Sequence, residues 1–124
     1  MSNHIFFQFE IGGYFQGRKT LTIRNEQTGP TCVFECWPKP EGSDRQSMPI
    51  TDVQVREIDA LAMRCGVSNW NESYDAPVLD GEQWRLLWHG RKCSGSNAYP
   101  PEFDTFVAGI ARILGLPELQ RARD

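Results

Sequence analysis

The sequence is short of the residues and patterns by which most catalytic sites announce themselves. Histidine occurs twice, at His4 and His89. There is no GxSxG elbow, no HExxH helix and no GxxxxGK(S/T) phosphate loop, so the commonest serine-hydrolase, metalloprotease and nucleotidase signatures are absent. A nucleophile–histidine–carboxylate arrangement would need Ser94, Ser96 or a cysteine beside one of the histidines. His89 with Cys93 or Ser94 is the pairing such a hydrolytic site would use, and a hairpin-turn histidine in solvent is the plainer reading.

Long apolar runs are also missing. The apolar start at Ile5, Phe6 and Phe7 is soon interrupted by Gln8 and Glu10, without a preceding positive region, so neither a secretory leader nor a membrane span is expected and a cytoplasmic location follows. Cys32, Cys36, Cys65 and Cys93 contain no CxxC pair. If Cys32 and Cys36 share a strand, four residues hold them roughly 13 Å apart, too far for a disulfide or a common metal. Four free thiols, no metal and no cofactor are expected.

What is present suits one domain over 1–124. A chain of this length buries roughly two thirds of the surface its unfolded form exposes. The hydrophobic fraction is 40%, with four tryptophans and seven phenylalanines, so no disulfide scaffold is needed. A formal charge of -3 argues against broad attraction to nucleic acid and leaves proteins or small molecules as partners.

Residues 4–11 alternate, with Ile5, Phe7, Phe9 and Ile11 on one side and Phe6, Gln8 and Glu10 on the other, as in a half-buried strand. Gly12, Gly13 and Gly17 lead to a second strand over 19–25, and a turn at Gly29-Pro30 to a third over 31–37. In that third strand Cys32, Phe34 and Cys36 are placed inward, because an unpaired buried carboxylate at Glu35 would be costly. Residues 38–49 read as an exposed loop. Thr51-Asp52-Val53-Gln54 matches a capping box, and Val55, Ile58, Leu61, Ala62 and Cys65 follow at helical spacing up to Gly66.

Residues 67–80 are irregular, anchored by Trp70, Tyr74, Pro77 and Leu79, and Asp80-Gly81 signals a turn. Trp84, Leu86 and Trp88 then alternate with Gln83, Arg85 and Leu87, and His89-Gly90 returns the chain into 91–94 as a second hairpin. Pro100 and Pro101 precede a second helix, with Pro101 suited to its first position, Glu102 and Asp104 to its first turn and Gly115 to its C′ position. The fold class is α+β in the order β-β-β-α-β-β-α. An antiparallel sheet of about five strands would carry both helices on one face.

The residues Trp84, Ser94-Gly95-Ser96-Asn97-Ala98-Tyr99-Pro100 and Phe103 resemble an uncharacterised group of small bacterial domains that end in a tryptophan-bearing hairpin, an SGxNxYP-like loop and a terminal helix. The resemblance implies the same α+β order. It brings no activity and no catalytic residue.

Two surfaces are then candidates. The uncovered sheet face would offer Phe6, Trp37 and Leu87 as apolar anchors among Glu10, Arg24, Glu35 and Arg85, the composition of a protein-binding surface in a non-enzymatic inhibitor, immunity-type protein or adaptor. The alternative is a small ligand-binding or hydrolytic domain using the 91–99 loop, where Arg91, Lys92, Ser94, Ser96 and Asn97 could converge on an anion at a helix start. Against it, Asn97 and the serines are the residue types that ordinarily satisfy turn and cap donors.

Overall fold

The computed structural model describes residues 4–13, 17–37, 45–76 and 81–119, with the backbone alone at His4, Trp37 and Glu118. The chain runs β1 (His4–Gly13), β2 (Gly17–Glu26), β3 (Gly29–Trp37), β4 (Gln46–Pro49), α1 (Asp52–Arg64), β5 (Ser73–Asp75), β6 (Glu82–Trp88), β7 (Arg91–Ser96) and α2 (Phe103–Leu114). Short 3-10 turns occupy Val67–Asn69 and Pro117–Leu119. The strands form one sheet in the order β4-β3-β2-β1-β6-β7-β5, antiparallel except where β5 runs parallel to β7.

Among the described residues seven strands replace the five expected. β4 lies in the stretch read as a loop, and its Thr31↔Pro49 to Phe34↔Gln46 register completes one edge. β5 lies in the irregular stretch and pairs Ser73, Tyr74 and Asp75 with Ser94, Gly95 and Ser96 at the other. Pro77, Leu79 and Asp80, given anchoring and turn roles from the sequence, lie outside the described residues.

One face of the sheet carries the core. Phe7, Phe9, Ile11, Leu21, Ile23, Cys32, Phe34, Trp84, Leu86 and Cys93 all point to it and are buried, as alternation along each strand dictates. Both helices pack there. Phe106 meets Phe7 at 6.2 Å between ring centroids, and Phe103 meets Phe9 at 6.0 Å and Trp84 at 4.8 Å. Trp70 fills the space beside them, edge-on to Phe106. These aromatic contacts supply much of the apolar burial of the domain.

α1 begins at the expected capping box: the Thr51 hydroxyl accepts from the Gln54 amide at 3.0 Å, and Gln54 Oε1 accepts from the Thr51 amide at 2.8 Å. Gln54 Nε2 also donates to the Ile113 carbonyl at 3.1 Å, which pins the start of α1 to the end of α2. Between the helices Gly109 lets Leu61 approach so closely that a Cβ there would stand 2.6 Å from Leu61 Cδ2. α2 starts two residues later than Pro101. Glu102 is its N-cap, in the left-handed region at φ 67 and without a side-chain cap bond. Gly115 closes it at φ 68, as expected of a C′ glycine.

A bulge in β1 corrects the facing of Phe6. The register steps from Ile5↔Arg24 directly to Phe7↔Ile23, leaving Phe6 as the extra residue. A bulge re-aims the side chain it carries. Phe6 is accordingly 4% exposed within the core cluster, while Ile5, expected inside, is 40% exposed.

Candidate interaction surface on the open sheet face

Cross-strand register arranges the second face in rows. One row runs Ser47, Val33, Thr22, Gln8, Leu87 and Lys92 from β4 to β7. The next runs Glu35, Thr20, Glu10, Arg85, Ser94 and Ser73, and a third runs Trp37, Arg18, Gly12, Gln83, Ser96 and Asp75. The first row carries a single charge, Lys92, and the second carries three, Glu35, Glu10 and Arg85, so cross-strand neighbours form a weakly charged seam beside a strongly charged one.

The two halves of this face differ. On β2 and β3, Thr22 and Val33 are buried although they point away from the helices, and Gln8 Nε2 donates to Thr22 Oγ1 at 3.2 Å. Arg24 sits on this half, 3.9 Å from Glu26, with its Nε buried and without a hydrogen-bond partner. Glu35 pairs with Arg45 at 3.8 Å. On β1, β6 and β7 the surface instead sinks into an open concavity of about 980 Å³, lined among others by Gln8, Glu10, Arg85, Leu87, Lys92 and Ser94, with Glu72 at its side. Glu10 lies between two cations, 3.6 Å from Arg18 and 3.9 Å from Arg85. These exposed pairs are weak contributors to stability, and their guanidinium groups remain available to solvent.

Of the seven residues expected to form a protein-binding surface, Glu10, Arg85 and Leu87 line this concavity, and Glu35 lies on β3 away from it. Arg24 lies on the other half of the same face. Trp37 shares the third row by register, and Phe6 is withdrawn into the core.

The 91–99 candidates are not brought to one point. Arg91 donates through Nε to the Val67 carbonyl at 3.2 Å and through Nη2 to the Trp70 carbonyl, so its guanidinium ties the 3-10 turn to the hairpin. Asn97, at φ 59, closes the hairpin end: its amide donates to the Glu82 carbonyl at 2.8 Å and its Oδ1 accepts from the Glu82 amide at 2.9 Å. Tyr99 donates to Glu82 Oε1 at 2.7 Å, and Trp84 Nε1 to the Ala98 carbonyl at 2.9 Å. Lys92, Ser94 and Ser96 belong by register to the open face instead.

One cluster escaped the sequence reading. Asp59, taken for a solvated helix residue, accepts on Oδ1 from Trp88 Nε1 at 2.8 Å and lies 2.9 Å from His89 Nε2. His89, taken for a turn residue in solvent, stacks on Phe6 at 5.4 Å between ring centroids and adopts φ 47. The partners are far apart in sequence and share no motif, so only the fold reveals them.

All four cysteines are free thiols. Burial pushes the Cys32 thiol up to about 12. Burial also raises Cys65, with Glu102 adding to the rise and Arg64 opposing it. At Cys93 burial is opposed chiefly by Arg91. Such thiols are poor nucleophiles and poor ligands at neutral pH. Among the described residues no group of three or more histidine, cysteine or acidic side chains gathers as a metal site, and no helix is long and apolar enough to cross a membrane.

Comparison with models of known protein families, with curated proteins and with solved structures gave no match.

Proposed function

We propose that the chain is a non-enzymatic protein-binding domain whose contact surface is the open sheet face, centred on the concavity of β1, β6 and β7. Leu87 carries this reading. It is a large apolar side chain half-buried on the face opposite the helices, set between Gln8 and Lys92 and bordered by Arg85 and Glu10. An apolar centre with a charged rim is the ordinary anatomy of a protein contact. No described element packs over it. An inhibitor, an immunity-type protein or an adaptor would each use a surface of this kind, and none requires a catalytic group.

Affinity capture with the wild type, a Leu87→Asp/Arg85→Ala variant and a Val53→Asp variant on the exposed side of α1 tests the reading. The expected partner is retained by the wild type and by Val53→Asp and is lost by the sheet-face variant. A partner held equally by all three proteins would place the contact elsewhere on the molecule.

A further inference from the structure

Resting on the contact surface proposed above, we infer that its β1–β6–β7 half receives an acidic segment of a partner protein, with an apolar side chain on Leu87 and carboxylates on Arg85 and Lys92. The chain as a whole is acidic, at -3. The concavity is not. Glu10 is only 26% exposed at its side chain and has a guanidinium on each side, Arg18 at 3.6 Å and Arg85 at 3.9 Å. One half-buried carboxylate therefore faces two arginines, and the outer of them, Arg85, is 80% exposed. Lys92 is exposed and forms no ion pair with any described residue. Glu72 adds one negative charge at the side. The charged residues that line the concavity, Arg85, Arg91 and Lys92 against Glu10 and Glu72, leave this part of an acidic protein one positive charge in surplus.

The spacing narrows the occupant. Arg85 and Leu87 stand two residues apart on β6, about 6.8 Å along an extended strand, and Lys92 is the cross-strand neighbour of Leu87. An extended segment presents its alternate side chains at the same interval. A segment with a carboxylate two residues before an apolar side chain presents both on one face and can thus meet Arg85 and Leu87, and a carboxylate two residues beyond is within reach of the long Lys92 side chain beside Leu87, whereas a basic segment would bring like charges onto both cations.

The test uses the full chain and a fluorescently labelled peptide in which a glutamate stands two residues to either side of a central leucine, with a lysine-for-glutamate peptide as its counterpart. Saturable binding of the glutamate peptide is expected, weakening as salt rises and falling about tenfold or more in Arg85→Glu/Lys92→Glu. Both side chains are exposed, so circular dichroism should match the wild type, with only a small fall in the urea midpoint from the carboxylate set opposite Glu10. Arg56→Glu/Arg64→Glu, which changes the net charge equally on α1, should bind like the wild type; equal loss in both variants would reduce the effect to bulk charge and overturn the inference. Absence of saturable binding, or preference for the lysine peptide, would overturn it as well. A partner captured through Leu87 but indifferent to salt and to charge reversal would leave the contact surface standing and remove the acidic occupant. A dimer of this chain that the Arg85→Glu/Lys92→Glu variant dissolves would put a second copy there instead.

Discussion

Asp59 on α1 and His89 at the tip of the β6–β7 hairpin meet at 2.9 Å across thirty residues of chain, and the same carboxylate oxygen takes the indole N–H of Trp88 at 2.8 Å. The contact joins a helix to the hairpin that carries the proposed contact surface. Its ion-pair part is half-exposed and therefore weak, so most of its contribution should come from the bond to Trp88. Asp59→Ala is expected to lower stability by about 1–2 kcal/mol. His89→Gly should cost less, because it removes one bond and a ring stack but relieves the left-handed backbone at φ 47. Urea unfolding of both variants checks the order.

Gly95 has no room for a side chain. A Cβ there would lie 2.3 Å from Trp84 Nε1 and 2.6 Å from the Ala98 carbonyl, the two ends of one hydrogen bond. Gly95→Ala should therefore break that bond and displace a tryptophan that is 1% exposed, costing about 2–4 kcal/mol. Thermal unfolding of Gly95→Ala measures the loss.

The bulge at Phe6 makes a prediction opposite to that of an exposed phenylalanine. Phe6→Ala should destabilise by about 3 kcal/mol, the cost of truncating a buried aromatic, while Arg85→Ala should change stability by less than about 0.5 kcal/mol. Chemical denaturation of the two variants distinguishes a core Phe6 from one on the surface.

Burial of Cys32 makes stability fall at alkaline pH. In the unfolded chain its thiol ionises near the ordinary value of 9.0, and in the fold it is held up to about 12. The unfolded state thus loses a proton that the folded state keeps. The stabilisation is fully present below about pH 9 and is lost as the pH rises toward about 12. Urea midpoints measured from neutral to alkaline pH should decline, and the decline should be shallower in Cys32→Ala. In the native protein the partly buried Cys36 should react first with a thiol reagent, ahead of Cys32, Cys65 and Cys93.

Local chemistry made part of this fold legible from the residues. Thr51 and Gln54 form a cap through atoms three residues apart, and α2 shows its face through Phe103, Phe106, Val107 and Ile110, so both helices could be placed directly. The inward choice of Cys32 and Phe34 followed from the cost of burying Glu35, and both are buried. β4 and β5 were missed because Gln46–Pro49 and Ser73–Asp75 are short and polar, strands by virtue of the neighbours they pair with and not by their own pattern. Two consecutive phenylalanines gave no sign that one would be bulged. At the candidate surface, alternation placed Glu10, Arg85 and Leu87 correctly on one face, but the concavity depends on how three strands curve together. The Asp59–His89 contact had no sequence signal because its partners come from separate elements.

Methyl chemical-shift mapping of the protein with its captured partner tests the central claim most directly. The account predicts that the Leu87 methyl signals move on complex formation while those of Val53 and Met63, exposed on α1, stay in place. Movement of Val53 and Met63 with an unchanged Leu87 would contradict it, because the contact would then lie on the helices and not on the open sheet face.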